Sequence, residues 1–293
     1  MSELSHPYTV LDVFTDTPLA GNPLAVFSAG ELIPSRLMQA LARELNLSET
    51  VFLLPGDAQT DATVRIFTPR AELPFAGHPV LGAAFVVGAE HGLELVRLRT
   101  GAGIVPVRLT HEHGVVVSGE MEQPLPSVRA YDRAAELFDA LGLAGSTLPV
   151  EAYTNGPTHV MVGVADVAAL RDLAPDLGAL GRLGTLCVDC FALPDPGAGA
   201  PAGAPAYVRI RVFCPGLGVP EDPATGSAAG PLAWHLARHG WCAPGTSVTI
   251  TQGVELERPS ELIARVEGPA ERPARIVVGG SAVVVASGSY RAA

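Results

Sequence analysis

The chain has 293 residues, enough for one large or two ordinary domains with a sizeable core. It is 48% hydrophobic and only 17% charged, a composition that excludes intrinsic disorder. Because aromatic residues are few and the formal net charge of -11 would repel phosphates, we expect no nucleic-acid partner.

The N-terminal segment, MSELSHPYTVLDVF, lacks the basic and long apolar regions of a signal peptide. No apolar run along the chain is long enough to span a membrane. Four cysteines in a chain of this length are too few for a disulfide framework. All 19 basic residues are arginine, which excludes Schiff-base chemistry on lysine. We therefore expect a cytoplasmic protein with no membrane partner.

Short runs rich in Val, Ile, Leu and Phe dominate the chain, and each is bounded by Gly, Pro, Asn or Asp. This pattern is typical of β-strands separated by turns. A low-complexity tract at residues 194–205 predicts a surface loop. The predicted strands cover residues 8–14, 23–27, 50–54, 62–67, 94–100, 103–109, 114–120, 159–164, 186–193, 208–213, 247–251, 263–267, 275–279 and 282–287.

Four helices are predicted among these strands. Residues 35–45 and 131–141 space their apolar side chains so that one helical face is apolar. Residues 79–90 and 227–239 are rich in Ala, Gly, Val and Leu with almost no polar face early on, which indicates buried helices. Short predicted strands surround each of these two buried helices. The sequence therefore predicts an α+β fold of two barrel-like lobes.

A short internal repeat supports two related lobes. FTP at residues 67–69 and FCP at residues 213–215 are each followed by a proline five residues on, and then by a turn at Gly77 or Gly226. Chance matches occur in a proline-rich chain, but a buried helix follows both copies. We predict an N-terminal lobe at residues 1–124 and a C-terminal lobe at residues 125–293. The last strand, about residues 280–290, is a candidate to return to the N-terminal lobe.

The turn DPATGS, residues 222–227, leads into the second buried helix. Free backbone N–H groups at a helix start, together with the positive end of the helix dipole, can bind an anion. A helix can also begin with Thr-Gly-Ser merely for capping. Asp222 directly before the helix, and a matching turn in the other lobe, favour a site that binds a carboxylate.

The matching turn is AGHP, residues 76–79, with Pro79 suited to the first helical position. A lone histidine is more often structural than catalytic, but His78 stands beside a helix start like that of the other lobe. Glu49 lies between an amphipathic helix and an apolar strand, where burial would suit its carboxyl group to proton transfer. The alternative for Glu49 is a solvent-facing side chain at a strand edge.

Five segments form an ordered set of motifs: AGNPLAVF (residues 20–27), LSET (47–50), FAGHP (75–79), GAGIVPV (101–107) and EDPATGSA (221–228). They strongly resemble motifs of the phenazine-biosynthesis PhzF family, in the family's order and across residues 8–288. The resemblance implies the diaminopimelate-epimerase-like fold. In that fold two pseudo-symmetric lobes each roll a sheet around a central helix, and the active site lies between the lobes.

The resemblance also implies an isomerase that needs no cofactor and no metal, in which a glutamate acts as general acid and base. Carried onto this chain, the acid/base is Glu49, with His78 and Asp222 as its polar partners. The implied ligand is a small anionic metabolite, and the implied assembly is a homodimer. The implied ligand contacts are Ser48, Gly77, Gly226 and Ser227.

The wider fold superfamily includes epimerases and racemases that carry a catalytic cysteine at each of two helix starts. The turns at residues 76–79 and 223–226 hold no cysteine. One carboxylate would then both remove and return a proton, which favours a proton shift along an unsaturated substrate. Two alternatives stay open: a non-cysteine epimerase or racemase using groups such as Glu49 and Asp222, and a catalytically silent ligand-binding relative.

Three other patterns are interpreted as structural. Cys187 and Cys190 have CxxC spacing, but in a strand residues i and i+3 face opposite sides. His235 and His239 share a helix face without the glutamate of an HExxH motif, so we interpret them as cations that stabilise a helix C-terminus. Pro231 is tolerable only if its helix begins shortly before it.

Overall fold

The computed structural model describes residues 5–193 and 206–291, so the low-complexity tract at 194–205 lies outside the described residues. The fold is mixed α/β and dominated by β-sheet, with few helices in the described ranges. The chain forms two compact units. Unit 1 contains Met1–Glu122 and Gly279–Ala293, and unit 2 contains Gln123–Val278.

Strands make up most of the regular structure of both units. In unit 1 they are β1 (Ser5–Val13), β2 (Asn22–Phe27), β3 (Glu49–Asp57), β4 (Thr60–Phe67), β5 (Glu72–Leu73), β6 (Leu95–Thr100), β7 (Gly103–Glu112), β8 (Val115–Glu122) and β18 (Ala282–Arg291). In unit 2 they are β9 (Ser127–Ala130), β10 (Glu151–Thr154), β11 (Thr158–Val164), β12 (Cys187–Ala192), β13 (Ala206–Cys214), β14 (Val219–Asp222), β15 (Ser247–Gln252) and β16 (Ser260–Glu267). The division between the units falls within β17 (Arg275–Gly280).

The four predicted helices are present, and two short helices accompany them. α2 begins at Gly77 rather than at Pro79, which is therefore its third residue. Proline fits there because the first N–H groups of a helix have no partner within the helix. No helix in the described ranges is long and apolar enough to cross a membrane. The helices are α1 (Ser35–Leu45), α2 (Gly77–His91), α3 (Ala134–Leu141), α4 (Val167–Arg171), α5 (Leu177–Arg182) and α6 (Gly226–Arg238).

In unit 1 the strands pack around α2. β1 pairs antiparallel with both β2 and β18, and β2 runs parallel to β3. α2 contacts β1–β4 and β6–β8 and is buried along most of its length. Its sequence explains this position, because a helix without a polar face gains most from burial on all sides. Gly82 allows the close approach, since a Cβ there would come within 2.5 Å of a Leu24 methyl group.

In unit 2 the buried helix is α6, which contacts β11 and β16. Pro231 lies inside α6, five residues after its start at Gly226, which is one residue before the predicted start at residue 227. Pro231 has no N–H, so the carbonyl of Ser227 lacks its usual donor four residues on. Asn155 Nδ2 donates to that carbonyl over 3.0 Å instead, which satisfies a buried oxygen.

Unit 2 also contains a disulfide between Cys187 and Cys214. The antiparallel register of β12 and β13, with Val188 opposite Phe213, brings the two cysteines face to face. Cys190, the other half of the CxxC motif, is a buried free thiol. The cysteine count does not predict this bond, because its partners are 27 residues apart and meet only through strand pairing.

Candidate active site

The two buried helices begin in the same way. The first helical residue is Gly77 in α2 and Gly226 in α6, and the second is His78 in α2 and Ser227 in α6. In neither of these two described helices does the N-cap side chain form a capping hydrogen bond. Backbone N–H groups at a helix start attract anions through their own hydrogens and through the helix dipole. Each start therefore has the chemistry of an anion site.

Glu49 and His78 lie side by side in unit 1. Glu49 Oε2 is 3.4 Å from His78 Nε2, slightly longer than a good hydrogen bond. The His78 side chain is 3% exposed and that of Glu49 is 13% exposed. The pair therefore combines a carboxyl group that solvent or a ligand can reach with an imidazole enclosed by protein.

The parallel pairing of β2 and β3 creates this arrangement. Leu24 lies opposite Glu49 in the register, so the first residue of β2, Asn22, and the first residue of β3, Glu49, are at the same edge. His78 occupies the start of α2 near both. β2, β3 and α2, which are separate in the sequence, thus place one amide, one carboxyl and one imidazole group close together.

Burial lowers the pKa of His78 to about 3, so its ring is neutral at pH 7. Asn22 Nδ2 is 3.2 Å from His78 Nδ1. Because an amide nitrogen can only donate, Nδ1 accepts, and the single ring hydrogen is on Nε2, toward Glu49. The Glu49–His78 pair is therefore a carboxyl group beside a neutral N–H donor and not an ion pair.

Two further predicted site residues are neighbours of this pair along the chain. Ser48 directly precedes Glu49 in the connection between α1 and β3, and it is half-buried. Gly77 directly precedes His78 and is buried. Unit 1 thus contains four of the predicted site residues in two adjacent pairs.

Asp222 belongs to unit 2, at the end of β14. Its Oδ2 accepts a hydrogen bond of 2.6 Å from the Thr225 hydroxyl. Gln252 donates through Nε2 to the Asp222 carbonyl over 2.7 Å and to Thr225 Oγ1 over 2.9 Å. Gln252 Oε1 accepts from the Thr225 backbone N–H over 2.9 Å. These bonds fix the turn that leads to Gly226 at the start of α6.

Ser227, the second residue of α6, joins a buried polar chain in unit 2. Its hydroxyl oxygen is 3.1 Å from His159 Nε2, and His159 Nδ1 is 3.0 Å from Asp189 Oδ2. The side chains of His159 and Asp189 have no exposed surface. These contacts link the start of α6 to β11 and β12 and restrict the orientation of the Ser227 hydroxyl.

Sequence reasoning missed several of these partners. Asn22 lies inside the AGNPLAVF motif, which was the signal that could have identified it. Gln252 directly follows a predicted strand, but a glutamine there carries no signal of its own. His159 and Asp189 lie on different strands with no spacing relationship between them, so only the fold brings them together.

The described residues contain one group with the spacing of metal ligands, Glu151, His235 and His239 in unit 2. No predicted site residue belongs to this group. The chemistry that Glu49 and His78 offer is proton transfer by a carboxyl group, assisted by a neutral hydrogen-bond donor. Groups of this kind are typical of enzymes that use acid–base chemistry.

The PhzC-PhzF family model, phenazine biosynthesis-like protein, matches residues 11–288. The trans-2,3-dihydro-3-hydroxyanthranilate isomerase of Pseudomonas aeruginosa is 48% identical over 283 residues, which cover 97% of this chain and 98% of that protein. The chain therefore belongs to the PhzF family and is a PhzF-like isomerase. The resemblance found in the motifs and the predicted enzyme class are both confirmed.

Solved structures share this fold. A predicted epimerase from Pseudomonas aeruginosa has a TM-score of 0.81 at 33% identity, over 98% of this chain and 100% of that one. A hydroxyproline epimerase from Agrobacterium vitis has a TM-score of 0.67 over 99% of this chain and 92% of that one. At 15% identity the second likeness concerns the fold alone.

Proposed function

We propose that this isomerase moves a proton within a small, unsaturated, carboxylate-bearing metabolite, with Glu49 as general acid and base. The observation that carries the proposal is the Glu49 carboxyl group, 3.4 Å from a neutral, buried His78 and still 13% exposed. A base that acts on carbon must be reachable by substrate yet largely removed from water.

We propose trans-2,3-dihydro-3-hydroxyanthranilate, or a close analogue, as the substrate. This is the compound named for the relative that is 48% identical over nearly the whole chain. The name describes a partly hydrogenated ring that carries a carboxylate. Such a ring supplies the conjugation that a carbanion-like transition state needs.

In the proposed step, ionised Glu49 takes a proton from a substrate carbon, and the electron pair of that C–H bond moves into the conjugated system. Protonated Glu49 then returns the proton to another carbon of the same system. Atoms, charge and electrons balance within one molecule, so neither a cofactor nor a metal takes part. His78 Nε2, 3.4 Å from Glu49 Oε2, restricts the positions that the carboxyl group can take while it gains and loses the proton.

We propose that the substrate carboxylate is bound by backbone N–H groups at the helix starts, and that Asp222 acts as a further polar partner of the reaction. The proposed ligand contacts are Ser48, Gly77, Gly226 and Ser227. Local N–H groups and helix dipoles act at contact distance, whereas the net charge of -11 is spread over the surface and screened by salt. An anionic ligand is therefore compatible with an acidic protein.

The finer architecture is also proposed: two pseudo-symmetric diaminopimelate-epimerase-like lobes at residues 1–124 and 125–293, with the last strand returning to the first lobe. The matched starts of α2 and α6 support it, as does the pairing of β18 with β1. We further propose a homodimer, which light scattering on the purified protein would test.

The test of the mechanism is Glu49→Gln, which keeps the shape of the side chain and removes the base. We expect the rate of conversion in deuterium oxide to fall by about 10²–10⁴-fold, with little change in substrate affinity. Glu44→Gln is the matched control, because Glu44 is an exposed glutamate on α1. Equal rates in wild type and Glu49→Gln would contradict the proposed role of Glu49.

An epimerase that does not use cysteine is the second candidate, favoured by the likeness to a predicted epimerase at 33% identity. The same experiment separates the two, because the position of the deuterium is visible by NMR. A proton shift places hydrogen on a new carbon, or deuterium where protonated Glu49 exchanges with solvent before it returns the proton, whereas epimerisation places it at the original stereocentre with inversion. Binding of the substrate without any conversion would instead indicate a ligand-binding protein that has no catalytic activity.

A further inference from the structure

Outside the proposed active site, three metal-ligating side chains converge in unit 2. His235 lies in the last turn of α6 and His239 is its C-cap, while Glu151 is the first residue of β10. Glu151 Oε2 is 3.2 Å from His235 Nδ1 and 3.0 Å from His239 Nε2. The three ligand atoms all lie within 4.8 Å of one another.

We propose that Glu151, His235 and His239 form a binding site for a zinc ion. Two imidazole nitrogens and one carboxylate oxygen are a donor set typical of Zn²⁺. With bonds of about 2.0–2.2 Å, the ligand atoms of a tetrahedral zinc site stand about 3.3 Å apart. The two nitrogen–oxygen separations are close to this spacing, and water would complete the fourth position.

The two carboxylate oxygens of Glu151 have different partners. Oε1 accepts a hydrogen bond of 3.2 Å from Arg238 Nη2, while Oε2 faces the histidines and accepts one of 2.8 Å from the Tyr153 hydroxyl. Hydrogen bonds of this kind orient the ligands of metal sites. Arg238 thus fixes Glu151 through Oε1, and zinc at Oε2 would take the place of the Tyr153 hydroxyl, which is also 3.1 Å from His235 Nδ1.

His235 and His239 lie at the C-terminal end of α6, as the sequence predicts, and one ring nitrogen of each faces Glu151 Oε2. Neutral imidazole and ionised carboxylate are the forms that bind metals.

The position in the fold also favours a cation. The C-terminal end of α6 carries partial negative charge from its last carbonyl groups. The His235 side chain is fully enclosed, whereas that of His239 is 21% exposed. One ligand is therefore held rigidly by the core, and another opens to solvent, from which an ion can enter.

The test uses protein without an affinity tag, stripped with a chelator and then titrated with zinc chloride in a calorimeter. We expect wild type to bind one equivalent of Zn²⁺, and the affinity to fall by at least about tenfold in His239→Gln and in Glu151→Gln. His91→Gln is the matched control, because His91 is an exposed histidine in the last turn of the other buried helix. Its zinc affinity should equal that of wild type.

Co²⁺ in place of Zn²⁺ gives a second readout, since its visible absorption reports the coordination number. We expect the bands of four-coordinate cobalt in wild type and in His91→Gln, and their loss in the two ligand variants. Thermal unfolding of each metal-free variant shows whether it is folded. The proposal is overturned if wild type binds no stoichiometric zinc, or if folded His239→Gln and Glu151→Gln bind it as tightly as wild type.

Discussion

Asn22 donates its side-chain amide to His78 Nδ1 over 3.2 Å, and this bond sets the tautomer of the imidazole beside Glu49. Asn22 has no exposed surface, and it begins β2 just as Glu49 begins the parallel strand β3. His78 is neutral because it is buried, so in the proposed mechanism it acts on Glu49 through its Nε2–H group and not through charge.

Asn22→Asp is expected to reverse this tautomer. A carboxylate at position 22 can only accept, so the ring hydrogen would move to Nδ1 and Nε2 would present a lone pair to Glu49. With His78 no longer donating toward Glu49, we expect kcat for the proposed reaction to fall on the order of 10²-fold, with a smaller change in KM. Steady-state kinetics measure kcat and KM separately, and the nitrogen-15 chemical shifts of His78 report its tautomer.

The matched control for this substitution is Asn46→Asp. It makes the same chemical change at the exposed C-cap of α1, outside the predicted site residues, and should leave kcat unchanged. An unaltered kcat in Asn22→Asp, with the hydrogen moved to Nδ1, would show that the tautomer of His78 has no part in catalysis.

The depressed pKa of His78 makes stability depend on pH. In the unfolded chain the imidazole takes up a proton below about pH 6.5, whereas the folded protein resists protonation until about pH 3. Between these values the unfolded state binds more protons, so the free energy of unfolding falls as the pH falls. Relative to His78→Gln, wild type should lose up to about 1.4 kcal/mol per pH unit in this window.

Urea unfolding of both proteins at several pH values between about 7 and 4 measures this difference. The comparison cancels every other titrating group that the two proteins share. Parallel pH profiles for wild type and His78→Gln would mean that His78 has the same pKa in the folded and the unfolded protein.

The sequence predicts the long, strongly patterned elements because their residues alone determine them. α1 has the predicted bounds, and the apolar sequences of α2 and α6 correctly indicate burial. Short elements such as β5, with two residues, are too brief to leave a pattern. The start of α2 was predicted two residues late because proline is favoured at the first helical position, yet the third position lacks a helical acceptor too.

The same distinction applies to the site residues: those in contiguous motifs are predictable from sequence, and those that meet only through the fold are not. Glu49 and His78 lie in short contiguous motifs, so the sequence could identify them as candidates. Their neutral, tautomer-fixed relationship depends on Asn22, which parallel strand pairing brings to the same edge. The His159–Asp189 pair joins two strands, and no spacing in the chain encodes it. In the group around Glu151, the sequence shows only that His235 and His239 share a helix face, and the fold adds Glu151 from β10.

The buried His159–Asp189 pair should couple strongly in stability. Its nitrogen–oxygen distance is 3.0 Å, and neither side chain is exposed. His159→Leu leaves the Asp189 carboxyl group without that partner, so we expect a loss of about 3–5 kcal/mol in the free energy of unfolding. His159→Leu combined with Asp189→Leu removes both polar groups and should cost less than His159→Leu alone. Denaturant unfolding of wild type, His159→Leu, Asp189→Leu and the double variant gives the coupling free energy, and strictly additive losses would contradict the coupling.

Asn155 should matter to stability only because Pro231 lies inside α6. The Asn155 amide donates over 3.0 Å to the Ser227 carbonyl, which has no helical donor because residue 231 is proline. Asn155→Leu leaves this buried oxygen without that bond, so we expect a loss of about 1–3 kcal/mol in the free energy of unfolding. Pro231→Ala restores an N–H four residues after Ser227, and in that background Asn155→Leu should cost markedly less. Urea unfolding of wild type, the two single variants and the double variant gives the coupling free energy, and a value near zero would show that Asn155 does not replace the missing helical donor.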